Sequence, residues 1–215
     1  MKHAILAAII SLALFSCKNS KTEHTTTGSV QHIDTLNIRG NEYSVDSTST
    51  VTWTGSKPTA SHTGFLKLGS GKIFIDSLNT IVGGQFIIDM ESLTDQDLSD
   101  VESKTKLEGH LKSPDFFDVK KYPTAKFVIA SAKPYVGDSG AATHTISGNL
   151  TLKDITKFIS FPARITHDTK TLAASAELNI DRTLWGLNYK GPGNPQDWVI
   201  SKTVNIKLNI AATRK

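Results

Sequence analysis

The chain has 215 residues and a single cysteine, Cys17, so no disulfide can form within it. It lacks the H-E-x-x-H, C-x-x-C and G-x-S-x-G arrangements that pre-arrange a metal, a redox dithiol or a nucleophile. Its seven histidines fall at positions 3, 24, 32, 62, 110, 144 and 167, with no ligand-like pair close in sequence. The L-G-S-G-K segment at 68–72 has neither the leading glycine nor the following helix of a phosphate-binding loop, and reads as a hairpin turn. Basic residues number 24 against 20 acidic ones, and no Lys/Arg block is longer than Lys120-Lys121. That excludes the clustered basic face of a nucleic-acid binder. No catalytic pair and no cofactor motif emerges from the residues.

What is present starts at the N-terminus. Lys2 and His3 precede an apolar stretch from Ala4 to Phe15, broken only by Ser11. About a dozen residues are too few to span a bilayer as a helix, so residues 1–16 read as a signal peptide. Leu14-Phe15-Ser16-Cys17 resembles a bacterial lipobox, which implies cleavage before Cys17 and acylation of that cysteine. Two or more acyl chains would anchor the protein stably, each buried methylene being worth about 0.8 kcal/mol. Lys18 follows instead of Asp, and similarity to the sorting rules of Gram-negative lipoproteins implies the outer membrane, facing the periplasm. Residues 17–41, rich in Ser, Thr, Lys and Asn, read as a flexible tether.

From Glu42 onward the pattern is period-two alternation, the mark of half-buried strands. Val45, Val51 and Trp53 belong to a first strand that Thr48–Thr50 interrupt with a bend. Leu66 and Leu68, then Ile73 and Ile75, flank Gly69-Ser70-Gly71 and predict a hairpin there. Phe86, Ile88 and Met90 share one strand face. Residues 91–118 carry apolar side chains at loose helical spacing and predict a helical insertion of one or two helices. Strands resume at 125–133, 144–153 and 158–166, with Asp154-Ile155-Thr156 as the turn between the last two, and finish at 171–181 and 203–212. About eight antiparallel strands favour a closed barrel, because closure removes exposed edges.

Residues 107–123, L-E-G-H-L-K-S-P-D-F-F-D-V-K-K-Y-P, are the most informative stretch. Pro114 suits the first position of a helical turn and Ser113 its cap. Phe116 and Phe117 add two adjacent aromatics, and Tyr122-Pro123 releases the chain into extended backbone. With Y-S-V-D at 43–46, S-H-T-G-F at 61–65, I-S-G-N-L-T-L-K at 146–153 and I-D-R-T-L-W-G-L-N-Y at 180–189, it resembles the YceI-like family of bacterial envelope proteins. The resemblance spans residues 42–213. It implies an all-β, eight-stranded, antiparallel lipocalin-like barrel over 42–215 that holds a polyisoprenoid or similar amphiphile.

The residues themselves leave the interior open: an eight-stranded lumen is either filled by side chains or able to hold one slender ligand. One face of 171–181 carries Leu172, Ala174, Ala176, Leu178 and Ile180, and one face of 145–152 carries Ile146, Gly148, Leu150 and Leu152. Small residues between large ones leave space that a neighbouring Phe would otherwise fill. The resemblance favours an aliphatic tunnel with Phe86, Ile88, Met90, Ile146, Leu150, Ala174, Ala176, Leu178 and Ile180 in its wall. Phe116, Phe117, His62, His110, Arg182 and Trp185 would stand at its mouth. Arg182 either pairs internally or meets a ligand head; His62 and His110 either fix loop geometry or face the ligand. Trp185, Tyr189 and Trp198 bracket a Gly/Pro segment at 190–195 that reads as a rim. The expected function is transport or storage of a long apolar ligand, without a cofactor, by an outer-membrane lipoprotein whose homodimerisation is left open. An enzyme acting on an isoprenoid or acyl substrate, and a structural domain with a filled core, are the alternatives.

Overall fold

The computed structural model describes residues 25–35, 37–137, 141–191 and 199–215. Its strands in chain order are β1 (Thr26–Gly28), β2 (Asn41–Val45), β3 (Thr50–Lys57), β4 (Ala60–Ile75), β5 (Ile81–Asp95), β6 (Thr124–Pro134), β7 (His144–Leu152), β8 (Ile155–His167), β9 (Thr171–Asp181) and β10 (Thr203–Arg214). A helix, α1 (Val101–Lys112), lies between β5 and β6, and a 3₁₀ turn (Arg182–Trp185) follows β9. Each strand from β3 to β10 pairs antiparallel with the next. β10 then pairs back onto β3, from Asn205 opposite Thr54 to Asn209 opposite Thr50. The sheet is therefore the expected closed, eight-stranded antiparallel barrel.

β2 extends β3 beyond a break, pairing with the far ends of β4 and β10. At that break Ser49, nearly fully buried, replaces a missing rung of the ladder: its hydroxyl donates to the Ala211 carbonyl and accepts from the Ala211 N–H, both at 3.0 Å. The bend expected near Thr48–Thr50 is this break, spanning residues 46–49. Within the barrel the alternation predicted from sequence sorts the two faces. Leu178 stands opposite Ile206, Ala176 opposite Leu208 and Ala174 opposite Ile210, all toward the interior.

The long β4 corrects the hairpin expected at Gly69-Ser70-Gly71. This strand runs unbroken through the three residues, with register shifts against β5 on either side of Lys67-Leu68. Gly71 is required there by close approach: a Cβ would meet the Val45 side chain at 2.5 Å. The chain reverses instead at residues 76–80, where the Asp76 carboxylate accepts from the Leu78 and Thr80 N–H groups at 2.9 and 2.8 Å.

The helical insertion is also narrower than the 91–118 expected. Residues 91–95 belong to β5, and α1 begins only after Asp100, whose side chain caps it by accepting from the Ser103 N–H at 2.8 Å. Ser113 is the C-cap of α1, and its hydroxyl accepts from the Asp115 N–H at 3.3 Å at the start of the turn that Pro114 opens. The turn between β7 and β8 falls at Lys153-Asp154, earlier than expected, since Ile155 and Thr156 already pair with Leu152 and Thr151. Lys153 takes the left-handed conformation this tight reversal needs, at φ 54°.

The segment read as a flexible tether up to residue 41 is in part laid on the barrel. β1 pairs with Phe158–Ser160 of β8, and the Gln31 backbone is held by both polar atoms of the Asn149 amide. Residues 1–24, including Cys17, lie outside the described residues.

Gly64 sits where β3, β4 and the end of β5 meet, and a Cβ there would lie 1.9 Å from the Thr94 carbonyl oxygen and 2.5 Å from the Trp53 ring. Gly55, by contrast, has nothing within 4 Å of that position. Gly64→Ala should therefore cost about 3 kcal/mol or more in urea unfolding, and Gly55→Ala less than about 1 kcal/mol. Equal losses in the two variants would show that packing at this junction is not what limits the position.

Candidate functional site: the barrel cavity and its mouth

Closing the sheet gathers its apolar face around a cavity of about 390 Å³. Phe86, Ile88 and Met90 of β5, Ile146 and Leu150 of β7, and Ala174, Ala176, Leu178 and Ile180 of β9 stand in its wall. On β7 the space over Gly148 is taken by Phe127, whose ring would come within 2.8 Å of an added Cβ. On β9 the alanines Ala174 and Ala176 border open volume instead. Both outcomes weighed from sequence thus occur, on different strands.

Several wall residues were not singled out in the sequence: Trp53 and Leu66, Phe127 and Phe161, and Val204 to Ile210 along β10. The period-two alternation of their strands was the signal that could have found them.

One end of the barrel concentrates polar groups. There β3, β5, β7 and β9 end while β4, β6, β8 and β10 begin, so residues distant in sequence converge. Phe116 is the hub: its ring lies 5.6 Å from His110, 5.6 Å from Tyr189, 6.2 Å from Phe117 and 5.6 Å from the Arg182 guanidinium. Lys153 braces this segment by donating to the Phe116 carbonyl at 3.2 Å. The His110 ring also packs on Tyr189 at 4.6 Å, and its buried Nε2 has no hydrogen-bond partner among the described residues. Trp53 Nε1, in the same cavity wall, is a further buried polar atom without a partner among the described residues.

Arg182 is only 2% exposed. It donates from Nε to the Ser201 carbonyl at 2.9 Å, from one terminal nitrogen to the carbonyls of Tyr189 at 3.1 Å and Ile200 at 3.0 Å, and from the other to the carbonyl of Leu187. Burial lowers its pKa, opposed by neighbouring Asp181, but a guanidinium stays charged throughout the accessible range. One cation thus clamps the chain on both sides of the Gly/Pro rim. Trp198 and residues 192–197 of that rim lie outside the described residues.

Trp185 corrects the expected mouth set. It is fully buried and outside the cavity wall, because its indole N–H is spent on the Leu150 carbonyl at 3.1 Å beneath the 3₁₀ turn.

His62 lines the same end of the cavity as His110 but faces different partners. Its Nδ1 is 3.2 Å from an Asp97 oxygen and 3.9 Å from Asp95 Oδ2. Asp95 and Asp97 drew no attention in the sequence, since nothing local distinguishes T-D-Q-D-L from any polar strand end. Glu108 of α1 pins the same strand end, accepting from the Thr94 hydroxyl at 2.7 Å and the Asp95 N–H at 2.9 Å. Burial would raise the Glu108 pKa, but these bonds and the nearby Lys104 and Lys112 outweigh it and hold it low. At Asp97 burial likewise acts upward, and contacts with Asp95, His62 and the Thr63 N–H bring the pKa below the ordinary value.

Against known proteins, the profile of the YceI-like domain matches residues 19–212. The chain belongs to the YceI-like domain family. A UPF0312 protein of Pseudomonas putida is 31% identical over 110 residues, covering 49% of this chain and 53% of the relative. A UPF0312 protein of Pseudomonas fluorescens is 29% identical over 110 residues, with the same coverage. The chain thus spans about half the length of the curated relatives it matches.

Two solved structures share the fold. BcnA of Burkholderia cenocepacia superposes with a TM-score of 0.62 at 23% identity, over 79% of this chain and 99% of that one. A polyisoprenoid binding domain from Saccharophagus degradans, implicated in plant cell wall breakdown, gives 0.59 at 17% identity, over 80% and 98%.

Removing Arg182 would leave four backbone carbonyls near the core without a donor. Each such loss costs about 1–3 kcal/mol, so Arg182→Met should destabilise the protein by about 3 kcal/mol or more in urea unfolding. A loss below about 1 kcal/mol would mean the clamp is dispensable to the fold.

Proposed function

We propose that this YceI-like protein is a lipid-anchored protein of the bacterial envelope, in the outer membrane and facing the periplasm. It holds a long apolar molecule in its barrel for transport or storage, a polyisoprenoid, a quinone or an acyl lipid. The observation that carries the reading is the cavity itself. Its volume of about 390 Å³ falls in the range of small-molecule sites, roughly 300–1,000 Å³. Its wall is aliphatic and aromatic almost throughout, with polar atoms gathered at one end. The polyisoprenoid binding described for the Saccharophagus degradans domain, a neighbour in fold, agrees with it.

The energetics favour a long apolar tail. At about 0.8 kcal/mol per buried methylene, five carbons offer about 4 kcal/mol and fifteen about 12 kcal/mol. Association itself costs on the order of 4–15 kcal/mol. A longer tail therefore offsets more of that cost than a short one. The polar end of such a molecule would rest near His110 and Trp53, where hydrogen-bonding capacity is left over among the described residues, with His62 in the same cavity wall. Arg182, with its bonds directed to backbone, would touch a head group only through its remaining edge.

Native mass spectrometry of the protein purified from cells tests the reading: the wild type should carry a lipid that organic extraction removes. Ala176→Phe should place a ring in the open volume and cut occupancy at least about tenfold, at the lower end of the usual overpacking cost of about 1–3 kcal/mol. A wild type that never carries lipid, with a variant that loses several kcal/mol, would mean a solid core. For the anchor, Cys17→Ser should abolish the acyl mass on the N-terminal peptide and move the protein out of the mature membrane-bound pool, leaving the barrel folded. Membrane fractionation with wild-type amounts still bound would refute the lipoprotein assignment.

A further inference from the structure

We propose that His62, Asp95 and Asp97 form a binding site for a divalent cation of the Zn²⁺ class at the mouth of the barrel. The three side chains each offer one ligand atom, and these atoms all lie within 4.8 Å of one another. What makes them a built site is how the carboxylates are held. Asp95 Oδ1 accepts from the N–H groups of Asp97 at 3.1 Å and Leu98 at 2.8 Å, and Asp97 Oδ2 accepts from the Thr63 N–H at 3.2 Å. Each carboxylate thus has one oxygen fixed by backbone and the other turned toward the imidazole. Outer hydrogen bonds of this kind orient ligands at metal sites.

The second observation is Asp95 Oδ2. Asp95 is 0% exposed, and this oxygen has no hydrogen-bond partner among the described residues. A buried carboxylate oxygen without a partner carries a large desolvation penalty unless a positive charge answers it. His62 Nδ1, 3.9 Å away, is beyond hydrogen-bonding distance of it and already 3.2 Å from Asp97. Glu108 adds a third carboxylate to the neighbourhood, offset by Lys104 at 4.0 Å. The local excess of negative charge calls for a cation between the ligand atoms.

An imidazole nitrogen with two carboxylate oxygens is the mixed N/O donor set that suits Zn²⁺. Tetrahedral coordination at about 2.0–2.1 Å spaces neighbouring ligand atoms by about 3.3 Å. The His62–Asp97 separation of 3.2 Å already fits, and the His62–Asp95 separation would shorten from 3.9 Å. His62, with 32% of its side chain exposed, has room to make that adjustment. Three protein ligands leave one position for water or for a polar group at the cavity mouth. The site stands on these side chains alone and does not depend on what the cavity holds.

Equilibrium dialysis of the full chain against Zn²⁺ tests it, with binding expected at one ion per chain beyond any taken up by the N-terminal cysteine and histidines. Asp95→Asn, Asp97→Asn and His62→Gln should each weaken that ion's affinity at least tenfold. Because Asp95 is buried and its substitution tests folding as well as binding, Asp97→Asn and His62→Gln decide the matter, with a circular dichroism melt confirming that both are folded. Zn²⁺ should also raise the melting temperature of the wild type and not of these two. Uptake unchanged in both folded variants, or no uptake by the wild type at micromolar Zn²⁺, would overturn the assignment.

Discussion

The ladder between β10 and β3 is the constraint from which the rest of the molecule follows. Its five residue pairs turn an eight-stranded sheet into a tube. Once the sheet is closed, every second residue of every strand must point into one enclosed space, whatever its size. Two of those positions on β9 are alanine, and both border the open volume. Over Gly148 on β7, by contrast, the ring of Phe127 from neighbouring β6 takes the space. The difference between a solid core and a binding volume is thus a matter of a few side chains, set against a backbone that tolerates either.

At the mouth the physical problem is reversed. Strand ends and connections bring backbone carbonyls into a region partly shielded from water, where they need donors. Arg182 meets that need with one planar group and several fixed N–H directions, which a lysine could not reproduce. Phe116 sits beneath it, and the aromatic cluster around Phe116 carries α1 and the 3₁₀ turn onto the barrel end. Rigidity there comes from a charge held mostly by its own chain.

Much of the barrel was legible in the residues, because alternation is a strong and local signal. β9 runs over Thr171–Asp181 as expected, since Leu172, Ala174, Ala176, Leu178 and Ile180 keep the period without interruption. β4 was not legible. Gly69-Ser70-Gly71 has the composition of a turn, and only the packing of Val45 from another strand over Gly71 explains why the strand continues. The wall of the cavity followed from the same alternation, but the mouth did not. His62, His110 and Arg182 were marked out by resemblance, and their partners come from segments far away in the chain. Arg182 allowed two readings in the sequence; its backbone bonds are a property of the folded loop. Trp185 looked like a mouth residue because of its position, and the carbonyl that buries it belongs to Leu150.

The wall of the barrel is uneven in one place. β9 shares eleven residue pairs with β10 but only four with β8, from Arg164 opposite Ser175 to His167 opposite Leu172. Toward the mouth the two strands part, and β1 lies along β8 while Thr25 Oγ1 accepts from the Asn179 N–H of β9 at 3.2 Å. The N-terminal segment therefore acts as a donated strand within its own chain, covering an edge that would otherwise be open to pairing with another molecule. A truncation that begins the protein after residue 28 would keep every barrel strand and still uncover that edge. The segment that leads away from the domain is, at this one seam, part of its self-protection against aggregation.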